Sequence, residues 1–479
     1  MNHYPLIAEV STPLTAAEAF ELFHERPFSF FLDSGMSHEK LGRYSFLGSD
    51  PFLVLKSNGQ DITLLDPSKK ETRRGSPFDF LAALLSRYTL DHSPYSVPFT
   101  GGAVGYFSYD LCHFIERLAA TTVDDLHLPE CCIAFYDLVL VFDHMTGKTY
   151  IASTGFPEQE KERRLKRAAE RIQETKEKLL TKNSISKNQP SLRTNVARGI
   201  NLRSNFTHQE YLKAVDAVRE HIAAGDIFQV NLSQRFEAEL PIPPYELYRH
   251  LRHINPAPFA AYLNFDEVTI LSASPERFLK VKGDLVETRP MKGTRPRGRS
   301  PAEDEALAKE LKNSTKDRAE NVMIVDLERN DLGRVCRFGT VKVRELWTLE
   351  KYATVFQLTS TVEGRLRQDK NRIDLLKACF PGGSITGAPK VRAMEIIDEL
   401  EPTRRSIYTG SIGYLSFSGE MDLNIVIRTI LIKDGKAYFQ VGGGIIYDSD
   451  PEAEYQETLD KAKALFQALS LSPRLEMVA

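Results

Sequence analysis

The chain has 479 residues, of which 42% are hydrophobic and 27% are charged, and its formal net charge is −3. This composition is typical of a globular protein, and the length is enough for about three domains of ordinary size. The near-neutral charge argues against a broad nucleic-acid-binding surface. The five scattered cysteines include no CxxC pair, which argues against a zinc ribbon and favours a reducing compartment. No signal peptide is recognisable, and the longest apolar run, 131–142, is too short to cross a bilayer, so we expect a cytoplasmic protein without membrane association.

Residues 1–150 form the first region and are expected to be rich in strands. Short β-branched and aromatic runs at 52–56, 62–65, 103–109 and 138–142 are separated by turn-forming residues. A helical pattern at 78–90 interrupts them.

Residues 151–205 form the second region. Charged residues dominate 158–182, and apolar residues recur there at helical spacing, which predicts an exposed charged helix. The polar stretch that follows, 183–205, is the best candidate for a linker.

Residues 206–470 alternate between helical and strand patterns. We predict helices at 211–224, 303–330, 372–379 and 389–400, and strands at 227–235, 412–417, 422–432 and 437–441. The last three strands are expected to be successive and antiparallel. A final helix is expected to begin near Ser449 or Asp450, and Ser449 is spaced from Glu452 as in a capping box.

Several catalytic signatures are absent from the sequence. It contains no Walker loop, no GxGxxG after a strand, no GxSxG and no HExxH. No cysteine stands in the Gly-x-Cys-x-Gly setting of a glutaminase nucleophile. Simple nucleotide-binding, hydrolase and zinc-protease functions are therefore disfavoured.

The segment 289–299 has five cations among its eleven residues. It is either a solvated basic loop with a weak nucleic-acid contact or the setting of an amine nucleophile. In the second case, Arg289 and Arg295 would help to lower the pKa of Lys292.

The Gly-rich segment 381–390 runs into a helix. Backbone N–H groups and the helix dipole at such a position favour an anion, although Gly-rich turns are also common without any ligand. Further on, a strand with Arg428 precedes Gly442–Gly444, a combination that admits close approach of a carboxylate.

Two predicted helices carry carboxylates at helical spacing. Asp317 and Glu320 lie three residues apart on one helix, and Glu454, Glu457 and Lys461 share one face of the last helix. If the helices converge, the carboxylates would form an oxygen site for Mg²⁺ that keeps positions for a substrate. Spacing alone leaves open whether they converge or are surface charges.

Eight segments in order resemble a known family, the chorismate-utilising enzymes, which includes anthranilate, aminodeoxychorismate, isochorismate and salicylate synthases. The resemblance is dense over 207–465 and weaker at 31–35, 42–51 and 101–110. The eight segments are 225–236, 274–279, RPMKGTRPRG (289–298), 316–335, PGGSITGAPK (381–390), 408–414, 424–429 and 442–463.

The resemblance implies an α+β fold, a large two-sheet antiparallel β-sandwich wrapped by helices. The N-terminal region (1–150) is similar to that of anthranilate synthase component I, and 206–470 would be the chorismate-binding catalytic region. Both halves would contribute to one unit, which replaces the expectation of three domains.

The resemblance also implies a chemistry. At Lys292, the motif PMKGT resembles that of the aminodeoxychorismate synthases, whereas anthranilate synthases have a small residue there. Gln229 replaces the lysine base of the hydroxylating members. The implied reaction is Mg²⁺-dependent amination of chorismate at C4 by ammonia, on the route to 4-aminobenzoate and folate.

The implied roles are as follows. Lys292 would attack C2 and Glu276 would act as the general acid. Mg²⁺ would bind to Glu320 and Glu457 with Glu454 nearby. Chorismate would be bound by Gln229, Thr294, Thr386, Tyr408, Arg428, Gly442, Gly443, Gly444 and Lys461.

Two further expectations follow from the resemblance. A separate glutamine amidotransferase subunit would supply the ammonia. Ser34 lies in a motif resembling the one at which related subunits hold tryptophan, so we expect an amino-acid-sized effector pocket there; the alternative is an ordinary strand end.

One departure and two alternatives remain. Gln357 stands where family members commonly have histidine. The alternative functions are that of an anthranilate synthase component I, which product identity would decide, and that of a non-catalytic protein that binds chorismate or an amino acid, which would bind without turnover.

Overall fold

The computed structural model of the protein describes residues 4–36, 41–91, 97–183, 202–240, 242–352 and 355–469. The predicted linker therefore lies largely outside the described residues. In chain order the strands are β1 (Leu6–Val10), β2 (Ser29–Asp33), β3 (Tyr44–Gly48), β4 (Leu53–Asn58), β5 (Asp61–Leu65), β6 (Lys70–Arg74), β7 (Gly102–Phe107), β8 (Cys131–Tyr136), β9 (Leu138–Asp143), β10 (Lys148–Ser153), β11 (Arg203–Ser204), β12 (Gln229–Glu239), β13 (Phe259–Phe265), β14 (Val268–Ser274), β15 (Arg277–Lys282), β16 (Leu285–Arg289), β17 (Met291–Pro296), β18 (Lys342–Lys351), β19 (Val355–Arg365), β20 (Gly387–Ala388), β21 (Ser411–Ser416), β22 (Met421–Asn424), β23 (Thr429–Lys433) and β24 (Lys436–Ile445).

The helices within the same ranges are α1 (Ala16–Phe20), α2 (Pro77–Arg87), α3 (Lys161–Asn183), α4 (His208–Ala224), α5 (Pro244–Ile254), α6 (Pro301–Asn313), α7 (Thr315–Gly333), α8 (Arg372–Cys379), α9 (Lys390–Leu400) and α10 (Pro451–Ala468). A short 3₁₀ turn, Gly383–Ile385, lies between α8 and β20.

The strands form two large antiparallel sheets. The first has the order β1-β10-β9-β3-β2-β13-β14-β23-β24-β12-β11, with β20 paired to β12. The second has the order β17-β19-β16-β15-β22-β21-β7-β8-β4-β5-β6, with β18 paired to β19. Strands from the N-terminal part join strands from the C-terminal part at β2–β13 and at β7–β21, so both halves build each sheet. The predicted two-sheet α+β fold is confirmed.

The core lies in three main layers of buried side chains. One cluster takes alternate residues from strands of both sheets, for example Phe30 and Val141 from the first and Val104 and Ala134 from the second, so it lies between the sheets. A second cluster joins the first sheet to α1, α3, α5 and α10. A third joins the second sheet to α2, α7, α8 and α9. Helices therefore cover the sandwich on both outer faces, because each sheet has an apolar side left to bury.

The prediction of one strand over 422–432 is wrong. β22 belongs to the second sheet and β23 to the first, and the chain crosses between the sheets at 425–428. Arg428 has a φ of 53° at this crossing, a conformation that interrupts a strand. Arg428 therefore lies in a bend between the sheets rather than within a strand.

Two predicted helix boundaries also differ from the structure. The stretch 303–330 is divided into α6 and α7 by Ser314, whose side chain caps α7 by accepting a hydrogen bond from the Asp317 N–H. The N-cap of α10 is Asp450, which accepts from the Ala453 N–H at 2.9 Å. Ser449, the predicted cap, instead donates to a carboxylate one turn into the helix.

Candidate active site

Lys292 lies on β17, where the pairing with β19 is interrupted by a bulge. Gly293 in the bulge has a φ of 76°, which glycine adopts at little cost. Lys292 Nζ donates to the backbone carbonyl of Ser384 at 3.1 Å. A methyl group placed on Gly444 of β24 would lie 3.6 Å from the same Nζ. The lysine thus reaches from the second sheet to the Gly-rich turn and to the glycines of the first sheet.

The electrostatic setting of Lys292 favours a neutral amine. Burial lowers its pKa, and the charge of Lys461 acts in the same direction, whereas Glu320 opposes it. The direction agrees with the sequence-based expectation, but the cause differs. Arg289 and Arg295 are each ion-paired with carboxylates.

Glu276 lies between β14 and β15 and is buried. Burial raises the pKa of its carboxyl to about 7, against the opposing effects of the Ser384 hydroxyl, which faces it, and of Lys292. The backbone N–H of Met291 donates to Glu276 Oε1 at 3.4 Å. A carboxyl that is partly protonated near neutral pH has the property required of a general acid.

Gln229 begins β12 and is buried, and its Oε1 accepts no hydrogen bond from the described residues. A methyl group on Gly444 would lie 2.0 Å from Gln229 Nε2, so the amide packs directly over this glycine. A methyl group on Gly443 would lie 3.1 Å from Glu454 Oε2 and 3.6 Å from Glu457 Oε1. Two adjacent glycines therefore separate the Gln229–Lys292 side of the site from the carboxylates of α10.

The carboxylates predicted to converge are close enough to affect one another. The Glu457 charge raises the pKa of Glu320 and of Glu454, although burial is the largest cause at both residues. Glu457 itself has a lowered pKa, first because of Lys461, whose Nζ lies 2.7 Å from Glu457 Oε1. Lys461 also donates to the Gly442 carbonyl at 2.8 Å. α7 and α10 thus bring acidic side chains to one place.

Arg428 and Tyr408 are the residues expected to bind a carboxylate. The Arg428 side chain makes no hydrogen bond or ion pair with any residue in the described ranges, and burial lowers its pKa. Glu276 and Tyr352 lie close enough to oppose this effect. Tyr408 is buried and hydrogen-bonds to Asn231. A half-buried guanidinium without a partner among the described residues is suited to a carboxylate.

The remaining predicted residues differ in burial and lie in different parts of the fold. Thr386 is buried, and its Oγ1 donates to the Gly382 carbonyl at 3.0 Å. Thr294 is exposed beyond the bulge, paired in register with Gln357. Ser34, at the end of β2, donates to the Tyr44 carbonyl at 2.6 Å. Within the described residues, both hydrogen bonds of Ser34 are to neighbouring residues of the first sheet, Ser45 and Tyr44. The effector pocket at Ser34 stays a prediction.

Sequence reasoning missed residues whose hydrogen bonds hold the segments around the site in place. Arg405 donates to Glu401 at 2.6 Å and to the backbone carbonyls of Asn231 and Ile385 at 2.6 and 2.9 Å. Ser384 contacts both Lys292 and Glu276. Ser384 lies in the Gly-rich segment 381–390, but its contacts with Lys292 and Glu276 join distant parts of the chain. The spacing of Glu401 and Arg405, four residues apart, was the one local signal for this group.

Across the described ranges, no group of three or more His, Cys, Asp or Glu side chains is placed to hold a metal ion. The same ranges contain no helix of the length and apolarity needed to cross a membrane. All five cysteines are buried and free of disulfides.

Comparison with known proteins gives consistent matches. The model of a chorismate binding enzyme family matches residues 29–467. Anthranilate synthase component 1 of Acetivibrio thermocellus is 43% identical over 96% of this chain and 93% of its own length. Aminodeoxychorismate synthase component 1 of Bacillus subtilis is 40% identical over 90% of each chain. The crystal structure of anthranilate synthase component I from Streptococcus pneumoniae superposes with a TM-score of 0.76 and 33% identity, covering 88% of this chain and 91% of that one. By its sequence and its fold, this chain therefore belongs to the chorismate binding enzyme family.

Proposed function

We propose that this chain catalyses the amination of chorismate at C4 with ammonia, giving 4-amino-4-deoxychorismate, in 4-aminobenzoate and folate biosynthesis. The observation that supports this choice within the family is Lys292, a half-buried lysine whose pKa is lowered and which lies beside the buried acid Glu276. A neutral amine is a nucleophile, whereas a protonated one is not.

The substrate would be bound by groups on the two sheets. Arg428 and Tyr408 would hold the enolpyruvyl carboxylate, since Arg428 has no partner among the described residues. Gly442–Gly444, Gln229 and Thr386 would line the ring, with the Gln229 amide packed over Gly444. Lys461 would remain tied to the Gly442 carbonyl, and Thr294 is proposed as a more peripheral contact.

The chain's acidic residues fit Mg²⁺. Glu320, Glu457 and Glu454 lie on two helices close enough for their charges to interact, and a cation would relieve that repulsion. Mg²⁺ in proteins commonly uses one or two carboxylates together with substrate and water oxygens, so fewer than three clustered ligands is compatible with it. When bound, the ion would neutralise the ring carboxylate of chorismate.

The covalent steps follow from the two catalytic residues. The Lys292 amine would form a bond to C2 while both ring double bonds shift and the C4–O bond breaks. Glu276 would give its proton to the departing C4 hydroxyl, which leaves as water. Ammonia would then add at C4 while both double bonds shift back and the C2–N bond breaks, which releases the neutral Lys292 amine. The Glu276 carboxylate would take up the proton lost by the new ammonium group on C4.

The ammonia source is part of the proposal. All five cysteines are buried, and none stands in a glutaminase motif. A separate glutamine amidotransferase subunit would therefore be needed for glutamine to serve. Glutamine-dependent turnover by the purified chain alone would contradict this part.

A second candidate is anthranilate synthase component 1, because several curated relatives with that description match at 37–43% identity. Its reaction would add the amine at C2 with loss of pyruvate. Lys292 is the observation that favours amination at C4.

Intact-protein mass spectrometry after rapid quenching with chorismate, Mg²⁺ and ammonium tests the covalent mechanism. We expect an adduct on the parent protein that is missing in Lys292→Ala and Lys292→Arg, because the guanidinium of arginine stays protonated. C4 amination by Lys292→Ala at the parent rate would contradict it.

A further inference from the structure

The turn Gly383–Ile385 lies beside the proposed nucleophile and the proposed acid. Ser384 in this turn is buried. Its backbone carbonyl accepts the hydrogen bond from Lys292 Nζ at 3.1 Å. Its side-chain hydroxyl faces the Glu276 carboxyl and favours the ionised form of that carboxyl. One residue therefore touches both groups.

The turn is itself held in place from two sides. The backbone N–H of Gly383 donates to Glu328 Oε1 of α7 at 3.0 Å. At the other end, the Asn231 N–H donates to the carbonyl of Thr386 at 2.7 Å, which ties the turn to β12. Anchors on a helix and on a sheet strand fix the position of Ser384 between them.

We propose that Ser384 is a positioning residue that sets the spacing of Glu276 and Lys292 and stabilises the Glu276 carboxylate as it forms. This inference rests on the proposed function, since it assigns Ser384 a part in the same chemistry. Nothing in the family resemblance assigned a role to this residue.

The carbonyl of Ser384 acts on the amine. Lys292 Nζ makes no other recorded hydrogen bond among the described residues. Because one N–H is held by the carbonyl, the rotation of the amine is restricted, and its lone pair keeps a defined range of directions. Such restriction places the reacting atoms in a productive geometry before the reaction.

The hydroxyl of Ser384 acts on the acid. When Glu276 gives up its proton, a negative charge develops on a buried carboxyl, and a hydrogen bond donated to that carboxylate stabilises the charged product. Lys292 and Arg428 face the same carboxyl and favour its charged form, whereas Glu328 faces it as a like charge. Ser384 is the neutral donor among these groups.

The test compares Ser384→Ala and Ser384→Thr with the parent, following the consumption of chorismate across pH in the presence of Mg²⁺ and ammonium. In Ser384→Ala we expect kcat to fall by about tenfold, the size of one lost hydrogen bond to a charged group, with the KM for chorismate unchanged. The alkaline limb of the pH profile should move to higher pH, because without the hydroxyl the Glu276 carboxyl stays protonated up to a higher pH. Ser384→Thr, which retains the hydroxyl, should restore the position of that limb.

Ser57→Ala is the matched control, because Ser57 is a buried serine of β4 whose hydroxyl donates to the Gly59 carbonyl, away from this turn. It should behave as the parent. If Ser384→Ala does not fold, Ser384→Cys, a weaker donor, should move the limb in the same direction.

An unchanged alkaline limb in Ser384→Ala, a loss confined to KM, or a Ser384→Thr protein that behaves like Ser384→Ala would each overturn the inference. The assay follows the consumption of chorismate, so it does not depend on which product forms. A product other than 4-amino-4-deoxychorismate would refute the proposed function, and the pH profiles would still decide the role of Ser384. A parent protein that consumes no chorismate would overturn both.

Discussion

The three consecutive glycines of β24 should respond to alanine in three different ways, because a new methyl group meets a different neighbour at each position. At Gly442 the methyl would lie 2.6 Å from the Leu232 carbonyl oxygen and 2.8 Å from Ser233 Cβ. These neighbours belong to the paired strand β12, so the backbone must shift. At Gly444 the nearest atom is the amide end of Gln229, at 2.0 Å.

The magnitudes follow from what can move. Overpacking against backbone costs about 1–3 kcal/mol, so Gly442→Ala should lose that much stability. The Gln229 amide is the end of a flexible side chain whose Oε1 has no partner in the described ranges, so Gly444→Ala should lose less than about 1 kcal/mol. Its effect should appear in catalysis instead, because displacing a substrate-contacting group by about 1 Å can cost about 100-fold in rate.

Gly443→Ala should be the intermediate case. Its methyl would lie 3.1 Å from Glu454 Oε2, a contact that side-chain adjustment relieves. We expect near-parent stability and a weakened dependence on Mg²⁺, because the carboxylates of α10 would be displaced.

Urea unfolding and chorismate turnover, measured on the same preparations, check the series. Gly333→Ala at the end of α7 is the control, since no atom lies within 4 Å of its methyl position. If Gly442→Ala is as stable as the parent, or Gly444→Ala is fully active, the packing derived for β24 is wrong.

Three other predictions concern the buried charges. Glu401→Gln should cost about 3–5 kcal/mol in urea unfolding, because it leaves the fully buried Arg405 guanidinium without its carboxylate; a loss below about 1 kcal/mol would contradict this. Burial raises the pKa of Asp110 to about 7, above its unfolded value, so its contribution to stability is present at low pH and is lost as pH rises toward 7. Asp110→Asn should therefore show a smaller loss of stability between about pH 4 and 7 than the parent, and parallel curves would refute the assignment. Glu320→Gln and Glu457→Gln should each abolish Mg²⁺-dependent turnover with an unchanged circular dichroism spectrum, and full activity of either protein in excess chelator would exclude the proposed metal site.

The sequence indicated the proposed reactive residues more readily than their arrangement. Lys292 stands out in a basic segment, and Glu454, Glu457 and Lys461 follow from helical spacing, which is a local property. That the carboxylates of α7 and α10 come close enough to affect one another depends on the packing of both helices against sheets built from distant parts of the chain, which no local pattern reports.

The predictions that proved wrong also concern properties that depend on the folded structure. The run 422–432 is uniformly suited to a strand, so its pattern could not show that the chain crosses between sheets at Arg428. Arg289 and Arg295 seemed to act on Lys292 because they are near in sequence, but each is neutralised by a carboxylate brought in by the fold. Burial, which lowers the pKa of Lys292, is a property of the folded protein alone.

The position of the new C–N bond tests the central claim most directly. The purified chain would be incubated with chorismate, Mg²⁺ and nitrogen-15-labelled ammonium. NMR would identify the ring carbon that is bonded to nitrogen-15, and mass spectrometry would give the mass of the product. We predict that nitrogen-15 is bonded to C4 of a product that retains the enolpyruvyl group. Label on the ring carbon next to the carboxylate, in a product that has lost pyruvate, would show that the chain is an anthranilate-forming enzyme and would contradict the role assigned to Lys292.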